Sequence, residues 1–234
     1  DCGTAYINGA ALGFANVVKP GRIGCIAASG TGLQAVVSEL DRLGQGVSHG
    51  IGVGGRDLSV EIGGLMTAYS LELLEEDQGT DIIILLSKPP HPSVVDSLKS
   101  ICSKMSTPVV ACFQGTRIPG DTFTQAVTLD EAAARAVSML NETPFVPSFF
   151  EDTERVAEFI NAAGTAATGK KVLGLFTGGT LAKEAQIILS AELGSIATSL
   201  DKHSKHIVVD LGDDKYTIGR PHPMIAPESR TEIL

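Results

Sequence analysis

Two short stretches of the sequence place small residues at a spacing suited to holding an anion. Ser29-Gly30-Thr31-Gly32 follows the apolar run "IGCIAA", and Thr177-Gly178-Gly179-Thr180 follows "VLGLF". In both cases the next residues have the amphipathic period that is typical of a helix. Glycine lets a ligand approach the backbone closely, and the first amides of a helix have no partner within it. The helix dipole adds about half a positive charge at that end, so each turn favours an oxyanion without any basic side chain.

Two interpretations of these turns stay open at the level of sequence. Each turn either binds an anion or is a plain strand-to-helix connection, since α/β proteins also use small residues at connections that bind nothing. The plan of "IGCIAASGTGLQAVVSEL" is repeated in "VLGLFTGGTLAKEAQIIL", which makes a weak internal repeat. Ligands of open α/β sheets bind at the carboxyl ends of strands, where both turns lie. We therefore predict an anion site formed by seven residues: Ser29, Gly30, Thr31, Gly32, Gly178, Gly179 and Thr180.

Four further side chains are candidates for contact with an anionic substrate: Lys88, Arg56, Arg220 and His222. Lys88 directly follows an apolar run, where it either neutralises a substrate or lies in solvent. Arg220 and His222 belong to "DLGDDKYTIGRPHPM", a segment that either lines the same crevice or forms a loop with an internal Asp–Arg pair. An arginine there is suited to holding a carboxylate through two hydrogen bonds. No spacing matches a metal site, and no residue is assigned a catalytic role.

The composition excludes several function classes. The 234 residues carry a net charge of −9, which disfavours nucleic acid and anionic membranes as partners. No apolar run is long enough to span a membrane.

The four cysteines form no CxxC pattern, so we expect buried thiols in a reducing cytoplasm, with Cys2 as the alternative reactive thiol. The chain begins at Asp1 rather than Met, and we expect a piece of a longer protein.

The elements that would position these residues alternate along the chain, which predicts α/β architecture with doubly wound parallel sheets. Strands are predicted at 23–28, 49–53, 81–87, 108–115, 172–176 and 206–211. Helices are predicted at 31–43, 58–75, 93–105, 130–140, 153–163 and 180–191. Asp57 and Asp130 are the predicted caps of the second and fourth helices. The Pro-containing stretch at 141–150 divides the chain into two flavodoxin-like units in tandem, 1–145 and 146–234, the second incomplete at its C-terminal end.

Several long motifs give the chain a family resemblance. "GRIGCIAASGTGLQAV", "LGQGVSHGIGVGGRDL" and "STPVVACFQG" are similar to the succinyl-CoA synthetase α-subunit, in the domain that follows its CoA-binding domain. "VLGLFTGGTLAKEA" resembles the carboxyl domain of the β-subunit, here fused into one chain. Together with "DCGTA" and "VVDLGDDKYTIGRPHPMI", these motifs resemble the FdrA family of succinyl-CoA synthetase-like proteins over nearly the whole chain.

The resemblance implies that two helix N-termini face one another and hold a phosphate group. It also implies partner subunits or a homo-oligomer. The chain departs from the synthetases at two places: it lacks their Gly-His-Ala-Gly-Ala segment, having "TRIPGDTFTQAVTLDEAAA" there, and "LLSKPPHP" replaces their glutamate segment. Both departures argue against a phosphohistidine intermediate.

Three functions follow from the resemblance and its departures. The first is acyl or carbamoyl transfer, as a subunit of an oxamate carbamoyltransferase in allantoin and oxamate catabolism. The second is a non-catalytic structural or binding subunit. The third is an acyl-CoA ligase without the usual phosphohistidine. The implied ligand is a small anionic substrate or a phosphate-bearing cofactor: CoA, ATP or carbamoyl phosphate.

Overall fold

Alternating strands and helices form two sheets of very different size, and parallel pairing dominates in the larger one. The computed structural model of the chain describes residues 3–147, 152–163, 171–200 and 204–231. The strands are β1 Thr4–Ile7, β2 Ala10–Gly13, β3 Pro20–Ala27, β4 Val47–Gly52, β5 Ile82–Ser87, β6 Val109–Phe113, β7 Thr124–Gln125, β8 Leu173–Phe176 and β9 Ile207–Asp210. The helices are α1 Gly30–Arg42, α2 Leu65–Glu76, α3 Pro92–Cys102, α4 Leu129–Leu140, α5 Thr153–Ala163, α6 Gly179–Leu193, α7 Asp214–Thr217 and α8 Glu228–Thr231.

The larger sheet has the strand order β2-β1-β4-β3-β5-β6-β7. Its five parallel strands, taken in chain order, run 2-1-3-4-5 across the sheet, which is the flavodoxin-like order. The prediction of a doubly wound parallel unit is therefore confirmed for this part of the chain. The order reverses between β3 and β5, so the ligand crevice expected of such a fold lies beyond Ala27 and Ser87, where these strands end.

Apolar side chains cover both faces of the larger sheet. One core cluster lies under α1 and α4, and a second lies under α2 and α3. The predicted stripe of α1 is confirmed, because its four members are fully buried: Leu33, Val36, Val37 and Leu40. The buried apolar runs of β5 and β6 explain why these strands were readable from sequence, since a parallel strand covered on both faces is apolar throughout.

The hairpin of β1 and β2 was not predicted. It extends the sheet antiparallel to β4, and its strands have four residues each, too few to show a clear period. The two-residue strand β7 and the short helices α7 and α8 were missed for a similar reason, because elements of two to four residues leave no period to detect.

Two predicted N-cap positions were wrong. The helix expected at 58–75 begins only at Leu65, after Gly63 and Gly64, whose φ angles of 74° and 79° are left-handed and interrupt a helix. Asp57 nevertheless caps this helix from a distance, because its carboxylate accepts hydrogen bonds from the amides of Met66 and Thr67, at 3.0 and 2.9 Å.

The second correction concerns α4. Its N-cap is Thr128, whose hydroxyl accepts the amide of Glu131 at 3.2 Å, and Asp130 lies in the first turn instead. The helix begins at Leu129, one residue before the predicted start, so the residue that caps it is Thr128.

The second sheet pairs β8 with β9 in parallel, connected through α6. Within the described residues it has these two strands alone, so the full flavodoxin-like order expected of the second unit is not seen there. Residues 141–147 contain no helix or strand, whereas 148–150 of the predicted linker lie outside the described residues. In the described part of the chain, no helix combines the length and the apolar character that a membrane crossing requires.

Candidate functional site

The two predicted anion turns lie against each other. A β-carbon placed on Gly32 would be 2.9 Å from Cγ2 of Thr180, and one placed on Gly178 would be 2.5 Å from Oγ1 of Thr31. β-carbons essentially never approach other atoms so closely, so a side chain at either glycine would have to displace the threonine that faces it. The arrangement is reciprocal, because each threonine is the second residue of its helix and faces a glycine of the other turn. The N-termini of α1 and α6 are thereby brought together.

Three further contacts dock α6 onto the larger sheet. The side-chain amide of Gln114 donates a buried hydrogen bond to the carbonyl of Thr180, at 2.7 Å. The carboxylate of Glu184 accepts the amide of Leu129 at the start of α4, at 2.8 Å. Ile187 packs at Gly115, where a β-carbon would lie 3.3 Å from its Cδ1. These contacts hold α6 with its N-terminus over the carboxyl ends of β3, β5 and β6.

A cavity of about 590 Å³ opens at the junction of the two turns. This volume lies in the range of small-molecule sites. Six of the seven predicted anion-binding residues line it: Ser29, Gly30, Thr31, Gly178, Gly179 and Thr180. Gly32 does not line it, since its amide is held by the Ser29 hydroxyl at 3.2 Å and its α-carbon faces Thr180.

Unpaired amides remain at both helix starts. Within the described ranges, the amides of Gly30 and Thr31 in α1 and of Gly179, Thr180 and Leu181 in α6 donate no hydrogen bond. These are the groups that a helix cannot satisfy internally, and they carry its partial positive charge. The hydroxyl of Thr180 is likewise without a hydrogen-bond partner among the described residues, although Thr180 is only 8% exposed.

Two of the four predicted substrate-contacting residues line the cavity, and two do not. Lys88 and His222 line the cavity, Lys88 from the end of β5 and His222 from the segment after β9. Arg56 and Arg220 are exposed and do not line it, although Gly55 does. Asp213, from the same segment as Arg220, accepts the amide of Lys215 at 3.0 Å and caps α7, so its carboxylate has a structural contact.

Sequence reasoning missed Asp210, the last residue of β9, which lines the cavity. Its Oδ1 accepts the amide of Gly212 at 2.8 Å. Burial raises the pKa of Asp210 and nearby Asp213 adds to this, whereas the Gly212 amide, His222 and Lys88 oppose it. The available signal was positional, because an acidic residue at the carboxyl end of a parallel strand lies where ligands bind.

His222 is held beside this carboxylate. Its Nδ1 accepts the amide of Met224 at 3.2 Å, which places the hydrogen of a neutral ring on Nε2. Gly212 makes room for the ring, since a β-carbon there would lie 2.7 Å from Nε2. Within the described residues, the charged side chains of the lining are therefore Lys88 and Asp210, with His222 as the further titratable group.

A second cavity, of about 660 Å³, lies beside the β1–β2 hairpin and α2. Its lining is mostly apolar, and the imidazole of His49, 3.5 Å from the Asp77 carboxylate, is among its few polar groups. Convergent polar groups distinguish a binding site from a surface groove, so we assign the candidate site to the cavity between the two turns.

The comparisons with known proteins concern both halves of the chain. Residues 175–234 match the family model described as CoA-ligase. The chain is 37% identical over 248 residues to uncharacterized protein YahF of Escherichia coli, covering 100% of this chain and 48% of YahF. It is 27% identical over 104 residues to malate–CoA ligase subunit alpha of Methylorubrum extorquens, covering 44% of this chain and 34% of the subunit. The chain thus spans half or less of the length of these relatives.

Among solved structures, the crystal structure of PH0766 from Pyrococcus horikoshii aligns with a TM-score of 0.46 and 20% identity. The alignment covers 82% of this chain and 38% of that protein.

Proposed function

We propose that this chain supplies the oxyanion-binding part of a group-transfer site related to that of CoA ligases. The observation that carries the proposal is the paired contact of Gly32 with Thr180 and of Gly178 with Thr31, which joins two helix N-termini at one cavity. A phosphate group placed there meets unpaired amides from α1 and α6 together. Two helix ends favour an anion more than one, because their partial charges add at a shared ligand.

The family match supports this assignment. The segment that matches the CoA-ligase model contains one of the two turns, Gly178 to Thr180, and also Asp210 and His222. The partial match to a ligase subunit favours action within a larger enzyme, with partner subunits or further copies of this chain. Within that enzyme we assign 1–145 and 146–234 to the two halves of one anion site.

The finer proposal is direct transfer of an acyl or carbamoyl group between bound ligands, as the FdrA resemblance implies. The ligand is a phosphate-bearing molecule such as carbamoyl phosphate, CoA or ATP. His222 is the histidine of the lining, and its Nδ1 accepts a backbone amide. The neutral ring then presents Nε2 as a hydrogen-bond donor rather than as a nucleophile, which favours ligand binding by His222 over a covalent phosphohistidine.

Calorimetric titration of the chain with inorganic phosphate and with carbamoyl phosphate tests the oxyanion site. Thr180→Val removes the unpartnered hydroxyl and keeps the methyl that packs on Gly32. We expect it to weaken binding about tenfold, as the loss of one hydrogen bond to a charged group does. Thr153→Val is the matched control, because Thr153 is exposed and does not line the cavity.

A soaked crystal supplies the independent test. Anion density that touches both the 29–32 and the 178–180 turns is the expected result. Absence of phosphate binding in titration and crystal alike would overturn the proposal and leave a structural subunit as the function of this chain.

A further inference from the structure

Asp210 lines the cavity of the proposed oxyanion site. Its Oδ1 is fixed by the Gly212 amide, at 2.8 Å. Its Oδ2 has no hydrogen-bond partner in the described part of the chain, and it lies 3.1 Å from the position of a β-carbon on Gly179, the first residue of α6. The free oxygen is therefore at the same helix start whose amides are unpaired.

A carboxylate at this position discriminates among anions. It repels an oxyanion that carries no hydrogen, because two negatively charged oxygens would face each other in a partly buried cavity. It accepts a hydrogen bond from a ligand that presents an O–H or N–H, and hydrogen bonds to charged groups are the stronger ones. Lys88 and His222 also line the cavity and can bind other parts of an anion. The carboxylate therefore repels only the ligand atom nearest its Oδ2, and it does not exclude every anion.

A second observation points to a ligand at this end of α6. Thr180 is only 8% exposed, and its hydroxyl has no hydrogen-bond partner among the described residues. Among the described residues its oxygen is not one of the fully buried, unpartnered polar atoms, so the hydroxyl is accessible to a ligand in the cavity that Thr180 lines. Thr180 and Asp210 thus offer a donor and an acceptor at one helix start.

We infer that Asp210 makes the site selective for an oxyanion ligand that also donates a hydrogen bond, as hydrogen phosphate and carbamoyl phosphate do and as sulfate and acetyl phosphate do not. This inference rests on the oxyanion site proposed above and names the class of ligand that the site accepts. These two ligands share a negatively charged oxyanion group and an O–H or N–H that can be directed at Asp210.

Titration with two pairs of probes near neutral pH tests the inference. Hydrogen phosphate and sulfate have the same shape, but only phosphate carries an O–H. Carbamoyl phosphate and acetyl phosphate differ in an NH₂ group against a methyl group. The wild-type chain is expected to bind the donor member of at least one pair about tenfold more tightly. Selectivity within the first pair identifies an O–H donor, and selectivity within the second identifies an N–H donor.

Asp210→Asn and Asp210→Ala are expected to abolish this selectivity, with sulfate binding strengthened in Asp210→Asn because the amide can donate to it. Asp213→Asn is the control, since it removes a nearby carboxylate that does not line this cavity. Binding of all four anions with equal affinity to the wild type, or unchanged selectivity in both Asp210 variants, would overturn the inference and leave the oxyanion site standing. Failure of every anion to bind would overturn the proposed function itself.

Discussion

Thr180 of α6 lies so close to Gly32 of α1 that a β-carbon on Gly32 would come within 2.9 Å of its Cγ2 methyl. The two residues belong to turns that are far apart in the sequence, and their contact is what makes one site of two helix starts. The contact needs Gly32 to lack a side chain and Thr180 to point its methyl group at the space this leaves. Adding a methyl group at position 32 should therefore disturb the contact, and removing the methyl group of Thr180 should relieve the disturbance.

Gly32→Ala is expected to lower the free energy of unfolding by about 1–3 kcal/mol, because the added methyl overpacks the junction. The cost of overpacking should be larger than the stabilisation, up to about 1 kcal/mol, that alanine gives over glycine within a helix. Urea denaturation measures the change. Thr180→Ser removes the colliding methyl, so the double variant should recover most of the lost stability. A double variant no more stable than Gly32→Ala would show that the two residues do not contact each other.

Glu184 should make the stability depend on pH. Burial raises its pKa, although the Leu129 amide opposes this and Asp130 reinforces it. A carboxyl with a raised pKa in the folded state stabilises the fold below its ordinary pKa, and this contribution is lost as the pH rises through the raised value. Glu184→Gln, which stays neutral and can still accept the amide, should therefore unfold at a higher temperature than wild type near neutral pH.

The difference between Glu184→Gln and wild type should shrink as the pH falls through the range in which Glu184 gains its proton. Glu192→Gln is the control, because Glu192 lies on the same helix and is exposed. A Glu184→Gln variant that is less stable than wild type at neutral pH would contradict the expected direction of the pKa shift.

Asp57 should matter more for stability than Asp130. Asp57 is 4% exposed and accepts hydrogen bonds from two amides at the start of α2 and from the Thr67 hydroxyl, at 2.6 Å. Asp57→Asn keeps the shape but loses acceptor capacity, and we expect a cost of about 1–3 kcal/mol. Asp130→Asn should cost less, because Thr128 caps α4. Denaturation midpoints measured side by side decide between the two, and equal losses would count against the long-range cap.

Three cysteines should resist thiol reagents until the chain unfolds. Cys25, Cys102 and Cys112 are buried, and burial raises the pKa of each to about 12. Because the thiolate is the reactive form, labelling near neutral pH should be slower by about a thousandfold or more than in denaturant. Mass spectrometry that assigns the label to each cysteine measures this. Rapid labelling of Cys112 in the native state would show that β6 is accessible. The alternative of a reactive Cys2 concerns a position outside the described residues, and the same experiment measures it.

Several features of the fold were readable because they depend on neighbours in the sequence. The continuous apolar run of β5 and the buried stripe of α1 follow from strand and helix periods, which are set by residues close in the chain. The start of α2 was misjudged because two left-handed glycines override a favourable apolar pattern. The hairpin of β1 and β2 was missed because its strands have only four residues each.

The sequence by itself determined the chemistry of the two turns, since their glycines, hydroxyl groups and following helices are local properties. Tertiary structure alone decided that they form one site. That outcome depends on α6 docking through Gln114 and Glu184, and on Gly32 admitting Thr180. It also depends on β9 ending beside α6, which brings Asp210 to the cavity and leaves Arg56 and Arg220 outside it. Long-range packing fixes such distances, and no local pattern encodes them.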